Sequence, residues 1–206
     1  MQAKTNDSRV IWLSIVLELF AATALLATRT ELSGLEEHIF RAIYGHPGGL
    51  RVLALAVTQL GSAWVLLGFS GLLFAVRRLP NLGLQVLRNG LLAYVLTVVI
   101  KELVGRPRPA ELLTNVSQHE TVLRGLGFPS AHTALATAVV FTIWPYVPAG
   151  WRWIGVVSIG AVAWSRIYLG VHLPLDILGG LLIGVAVVLL AAYLPQKGVW
   201  KSEPTS

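Results

Sequence analysis

The chain has 206 residues, of which 55% are apolar and 13% charged, and its mean hydropathy is +0.69. Soluble domains carry about 25% charged residues, so this chain has too few charges to clothe a water-facing surface and the lipid bilayer is its expected solvent. The net charge of +6 is scattered at the ends of apolar runs, which favours membrane orientation over nucleic-acid binding, and the lack of cysteine excludes disulfides and thiolate-held metals.

Apolar runs long enough to span a bilayer, about 17–25 residues, are predicted at 10–27, 52–76, 84–104, 130–147, 154–169 and 174–194. The first follows Lys4 and Arg9, as a signal peptide would, but it is long for such a segment and lacks a small-x-small cleavage site. A retained span is expected. Residues 31–44 then put Leu32, Leu35, Ile39 and Ile43 on one helical face, with Glu36, Glu37 and Arg41 elsewhere. This is the pattern of an amphipathic helix lying in the membrane interface, ended by the His-Pro-Gly-Gly run from His46. The third run carries Arg88 and Asn89 near its start and leads into the longest polar connection, 101–128. Connections of that length are often functional. Trp144, Trp151 and Trp153 bracket the loop between the fourth and fifth runs, and Trp12 and Trp200 fall near the same face, as in an aromatic belt. Residues 201–206 form a polar tail expected to be disordered. Each run is continuous rather than alternating, so helices are expected rather than a barrel. The fold class is all-α: a polytopic membrane protein with six transmembrane helices in one bundle, a short interfacial helix, and a single domain over 1–206.

With both termini inside, the inner segments carry Lys4, Arg9, Arg77, Arg78, Arg88, Arg152, Lys197 and Lys201. The outer ones carry Arg29, Arg41, Arg51, Lys101, Arg106, Arg108, Arg124 and Arg166. The count is a tie unless some outer cations are held by a site.

Three polar clusters emerge at span ends on one face. They are KELVGRPRP (101–109), GFPSAH (127–132) and SRIYLGVHLPLD (165–176). Lys101, Arg108 and Arg166 supply positive charge, and a guanidinium matches phosphate oxygens bidentately. Ser130 opens a helix after Pro129, so its hydroxyl and the nearby N–H groups suit an anion. His132 and His172 are the groups able to exchange protons or attack near neutral pH. Asp176 lies four residues after His172, at the start of the helix opened by Pro174, and can reach back to orient the imidazole. The set reads as a phosphate cradle with a histidine on each side of the phosphorus: His172 attacks in line and His132 protonates the leaving oxygen. Phosphoryl transfer is mostly positioning and charge stabilisation, so three cations can do what a metal does elsewhere. No carboxylate cluster for Mg²⁺ stands out in the sequence.

At these residues the chain resembles the type 2 phosphatidic acid phosphatase superfamily of membrane lipid phosphatases, which carries three motifs. Lys, six residues, then Arg-Pro is met by Lys101 and Arg108-Pro109; Pro-Ser-Gly-His appears as Pro129, Ser130, Ala131 and His132. Ser-Arg, five residues, His, three residues, Asp is met by Ser165, Arg166, His172 and Asp176. The resemblance implies a six-helix bundle, a phosphohistidine on His172, His132 as general acid, basic residues on phosphate, and no metal or other cofactor. It also implies an interfacial helix near the first loop. Ala131 departs from the family's glycine: its N–H remains, but the methyl group narrows the approach of phosphate. Arg106-Pro107 offers a second Arg-Pro pair, with Arg106 a secondary phosphate or head-group contact, and Ser165 is a further secondary residue.

Of the other ionisable groups, His38, His46 and His119 are expected in solvated loops and Glu102 beside Lys101; Tyr168 is expected to pack at the interface, and Glu18 is given no role. If Lys101, Arg108 and Arg166 are held by the site, five outer basic residues remain against eight inside. The positive-inside rule then agrees with cytoplasmic termini and an active site on the periplasmic face of a bacterial inner membrane. The expected partners are the bilayer and a membrane lipid phosphate, not nucleic acid. Undecaprenyl pyrophosphate is the favoured substrate, ahead of phosphatidylglycerol phosphate and phosphatidic acid. Two alternatives are a lipid phosphotransferase with the same site, acting for example on lipid A, and a non-catalytic anion transporter, which would not need the paired histidines.

Overall fold

A computed structural model of the chain describes residues 2–29, 31–44, 49–77, 79–118, 120 and 125–193, with side chains from Ser8 onward. His46, Arg78, His119, Arg124, Lys197, Trp200 and Lys201 lie outside the described residues, as does the tail. The described residues form α1 (Gln2–Ala27), α2 (Gly34–Ile43), α3 (Arg51–Thr58), α4 (Ala63–Ala75), α5 (Pro80–Val104), α6 (Pro109–Leu112), α7 (Ala131–Ile143), α8 (Arg152–Tyr168) and α9 (Pro174–Ala191), with no strand among them.

Local chemistry sets the ends of these helices. Ser33 and Ser62 cap α2 and α4, each hydroxyl accepting from the N–H three residues on (Glu36 and Val65, both 3.2 Å). Pro80 and Pro174 open α5 and α9, where a missing N–H costs nothing. Gly105, at φ +64, closes α5 in a left-handed cap that a side chain would strain.

The centre of the bundle is α7, which packs against α5, α8 and α9. Its Ala134 and Ala138 meet Ala93 of α5 and Ile183 and Val187 of α9 in one buried cluster. A second cluster joins Leu66 and Leu73 of α4, Leu82 and Val86 of α5, and Leu135 of α7. The first helix lies outside, with Val16 on Leu182 and Ala186 of α9, and most of its other large apolar side chains are exposed, as lipid contact requires. Phe40 seats α2 on Ile167 and Leu173, so this short helix lies across the ends of α8 and α9.

Three stretches are long and apolar enough to cross a membrane: Ser8–Ala27, Pro80–Leu112 and Pro174–Ala191. A fourth arises if Arg51–Gly61 and Ala63–Ala75, bent by 53°, count as one span. The six-span expectation is thus met in part. The predicted run 130–147 yields only a 13-residue α7, because Pro145 forces the chain into the turn Trp144–Tyr146. The run 154–169 becomes the 17-residue α8. Both are shorter than the roughly 20 residues that span about 30 Å of hydrocarbon.

The interfacial helix differs from expectation in one respect. Glu36 is not on a solvated face: it is buried with Phe40, while Leu35 and Ile39 point outward. Tyr168 is buried against Trp164, ring centroids 4.9 Å apart, and His38 is exposed on α2 rather than in a loop.

Candidate active site

Three chain segments converge where α5 ends, α7 begins and α8 turns into α9. The last turn of α5 carries Lys101, whose Nζ donates to the carbonyls of Leu126 (2.7 Å) and Gly127 (2.9 Å). Arg108, just before α6, donates from Nε to Gly125 O (2.7 Å) and from Nη1 to Val171 O (3.1 Å). These two cations bind the end of the long connection and the loop after α8, and so fix the entry to α7 relative to His172. Ser130 then donates its N–H to the Asp176 carbonyl (2.9 Å), joining the first turns of α7 and α9 directly. The Ser130 hydroxyl is fully buried and accepts from Thr133 Oγ1 (3.2 Å).

In the short loop between α8 and α9, His172 is buried with Nδ1 3.3 Å from Asp176 Oδ2. The same Oδ2 accepts the Leu173 N–H (2.8 Å), a capping contact at the positive end of α9. In the tautomer that donates from Nδ1 to Asp176, the lone pair of His172 lies on Nε2, and the Gly127 backbone is a further hydrogen-bond partner of the ring. Gly127 comes so close that a Cβ there would lie 3.0 Å from Asp176 Oδ2. Arg166 is almost completely buried, with Nη1 shared between Thr58 Oγ1 (2.8 Å) and Glu120 Oε2 (2.6 Å). Its Nε has no hydrogen-bond partner among the described residues. Lys101, Arg108, Arg166 and His172 are all ionisable neighbours of His132, which is half-buried at the start of α7. The break between α3 and α4 faces the same place, since a Cβ on Gly61 would come 2.5 Å from the His132 carbonyl.

Lys101, Arg108, Ser130, His132, Arg166, His172 and Asp176 are therefore brought together, while the two secondary residues differ from expectation. Arg106, read from the sequence as a secondary phosphate contact, is buried and committed to carboxylates. Its Nη1 reaches Asp176 Oδ1 (2.9 Å) and Glu36 Oε1 (3.1 Å), and its Nη2 reaches Glu36 Oε2 (2.7 Å). The secondary residue Ser165 is also buried and turns its hydroxyl to the Val162 carbonyl (2.7 Å) within α8. Sequence reasoning missed Thr58, Glu120 and the role of Glu36. A signal existed for Glu36: it falls between Leu32 and Phe40 in steps of four, a charge set into a stripe that packs inward. Glu102, by contrast, is exposed near Lys101 as expected.

Burial, and then the charges of Lys101, Arg166 and Arg108, push the His172 imidazole well below its usual 6.5. Because the folded value lies below the unfolded one, protonation opposes the fold: stability from this group is complete above about pH 6.5 and falls as pH drops further. The neutral imidazole also persists below pH 6.5. With the ionisation of the substrate phosphate subtracted, the His172 limb of the kcat/KM profile is expected below pH 6.5, and Lys101→Met should move it upward. A limb at 6.5 or above that ignores Lys101→Met would contradict the arrangement.

Beside this cluster, a cleft of about 500 Å³ opens between the end of α1, α2 and the start of α9. Leu26, Arg29, Leu32, Leu35, Ile39 and Leu175 line it, and it reaches Glu36 but none of Lys101, Arg108 and Arg166.

Apolar helices that enclose buried cations and a His–Asp pair define a helical membrane protein with a polar cluster at its helix ends. A family model described as the PAP2 superfamily matches residues 83–200, which include all three polar clusters. The chain belongs to the PAP2 superfamily and is a membrane lipid phosphatase. It is 26% identical over 167 residues to the undecaprenyl-diphosphatase of Sulfolobus acidocaldarius, covering 80% of this chain and 81% of that protein. It is 34% identical over 146 residues to the decaprenylphosphoryl-5-phosphoribose phosphatase of Mycolicibacterium smegmatis, covering 68% and 75%. Among solved structures, Aquifex aeolicus LpxE superposes with TM-score 0.68 at 30% identity, over 79% of this chain and 97% of that one. The PAP2-type phosphatidylglycerolphosphate phosphatase of Bacillus subtilis superposes with TM-score 0.69 at 25% identity, over 86% and 94%.

Proposed function

We propose that the chain hydrolyses a polyprenyl pyrophosphate, with undecaprenyl pyrophosphate as the favoured substrate, through a phosphohistidine on His172. The observation that carries this reading is the His172–Asp176 contact at the head of α9, set among three cations. Two relatives matched over two thirds or more of this chain are named for polyprenyl phosphate compounds, which supports the substrate class. In the proposed reaction Lys101, Arg108, Arg166 and the first N–H groups of α7, from Ala131 onward, hold the terminal phosphate. The Nε2 lone pair of His172 forms a bond to phosphorus as the bridging P–O bond breaks. His132 gives its proton to the departing lipid phosphate. Water then attacks the phosphohistidine, His132 takes a proton from it, and inorganic phosphate leaves with His172 restored. Asp176 keeps the imidazole oriented and offsets its positive charge while the phosphoryl group is attached.

In the same reading α7 and α8 also cross the bilayer, locally thinned or tilted around them. The domain is single, both termini are cytoplasmic, and the site faces the outer side of a bacterial inner membrane. The chain has no native cysteine, so single cysteines introduced beside α2 and into the loop before α8 report sidedness with an impermeant thiol reagent. Labelling of both from the same side would refute the topology.

The decisive assay is phosphate release by purified protein in EDTA over undecaprenyl pyrophosphate, phosphatidylglycerol phosphate and phosphatidic acid. The expected outcome is fastest release from the prenyl substrate. The B. subtilis neighbour makes phosphatidylglycerol phosphate the competing result. Phosphorylation of a second lipid without free phosphate would establish the phosphotransferase instead. Loss of activity in EDTA would sink the metal-free step.

A further inference from the structure

Arg106 sits between two carboxylates from distant parts of the chain, and all three side chains are at most 5% exposed. We propose that Glu36 and Arg106 are positioning residues that hold the Asp176 carboxylate, and through it the His172 ring, in the orientation that attack on phosphorus needs. This inference rests on His172 being the nucleophile.

Asp176 is held at both of its carboxylate oxygens. Its Oδ2 takes the Leu173 N–H (2.8 Å) and faces His172 Nδ1 (3.3 Å), while its Oδ1 is held by Arg106 alone among the described residues (2.9 Å). With both oxygens held, the carboxylate plane is fixed. Without Arg106 it hangs from Oδ2 and can turn about its own bond, carrying the imidazole contact with it. Arg106 in turn is fixed by Glu36, which takes both terminal nitrogens in the fork geometry that suits a guanidinium (2.7 and 3.1 Å). Glu36 Oε1 also accepts the Leu175 N–H (3.0 Å), one of the unpaired amides in the first turn of α9. Glu36 therefore grips both the guanidinium and the helix that bears Asp176. Its own helix, α2, reaches the site through this contact, with Phe40 packed beneath it.

A buried ion network can also be simple packing, replaceable by neutral side chains of similar size. The two roles separate in a double variant. Arg106→Gln leaves two buried carboxylates without a cation and is expected to lower both thermal stability and activity. Adding Glu36→Gln removes one of those carboxylates, so the double variant should regain much of the lost melting temperature. If the pair positions Asp176, kcat in the double variant stays at least about 30-fold below wild type, because a neutral amide cannot hold Oδ1 as a guanidinium does. KM should change less than about three-fold, since the cations proposed to hold phosphate are untouched, and the inhibition constant of inorganic phosphate should stay close to wild type.

The experiment measures melting temperature, kcat, KM, inhibition by inorganic phosphate, and the rate of acid-labile, alkali-stable labelling from a ³²P-lipid in full-length wild type, both single variants and the double. Slow labelling with near-normal phosphate inhibition supports the inference. Recovery of kcat together with melting temperature in the double variant overturns it and leaves the functional reading standing. A wild type that releases no phosphate from any lipid of the panel would overturn that reading first, and this inference with it.

Discussion

His172→Ala is expected to lower phosphate release by on the order of 10⁴-fold or more, since a nucleophile cannot be replaced by the groups around it. The protein should still fold. The imidazole is buried at the head of α9, yet its removal leaves the Leu173 cap on Asp176 and the Ser130–Asp176 backbone bond in place. The phosphate cations also remain, so inorganic phosphate should bind the variant nearly as well as it binds wild type. Asp176→Asn is the informative companion. With its oxygen in the Oδ2 place an asparagine keeps the Leu173 N–H and His172 contacts but sets its NH₂ against the Arg106 guanidinium, donor against donor. With the amide flipped, the NH₂ faces His172 Nδ1, favours the wrong tautomer and loses the Leu173 cap. A loss of roughly 10²–10⁴-fold is expected, with KM changed little. The measurement is single-turnover ³²P transfer followed by acid and alkali lability of the label. An acid-stable label, or full labelling of His172→Ala, would remove His172 from the role.

The charged half of this site was legible in the sequence because few ionisable groups sit beside apolar runs, and those that do carry a reason. Lys101, Arg108, His132, Arg166, His172 and Asp176 could each be picked out on that ground, and the offset of four between His172 and Asp176 gave a direct structural expectation. What was not legible depends on pairing across the chain. Arg106 and Arg108 are two residues apart in the same Arg-Pro repeat, and spacing could only rank them by motif. Their fates differ because Glu36, 70 residues away, meets the first, while the backbone carbonyls of Gly125 and Val171 meet the second. The fold shows the same division. Apolar runs located the helices, but helix ends followed local breakers inside them: Pro145 cut short α7, and the Gly61–Ser62 step split the second run into α3 and α4. Hydropathy is blind to both, because glycine and proline hardly lower the average of a window.

Gly180→Ala should be nearly as damaging as changes to the charged residues, though it alters no charge. On α9 this glycine faces the first turn of α7, and a Cβ there would collide with the Ser130 carbonyl and lie 3.1 Å from Thr133 Cβ. The obstacle is backbone, so no rotamer can relieve it and the two helices must separate. That carbonyl accepts the Ala134 N–H, the bond that begins α7, while the N–H of the same residue binds the Asp176 carbonyl. Separation therefore moves Ser130 and His132 away from Asp176 and His172 together. Overpacking of this kind costs about 1–3 kcal/mol, and a displacement near 1 Å between reacting groups lowers rate by about 10²-fold. The control is Gly160→Ala on α8, where the added methyl meets nothing within 4 Å. There the exchange should be neutral or stabilise by up to about 1 kcal/mol, because alanine favours the helix. Melting temperature in detergent and kcat are read for both variants. Equal behaviour of the two would mean that close approach of α7 and α9 does not set the site. A large loss at Gly180 alone ties catalysis to the distance between α7, which carries His132, and α9, which carries Asp176 and follows the loop that holds His172.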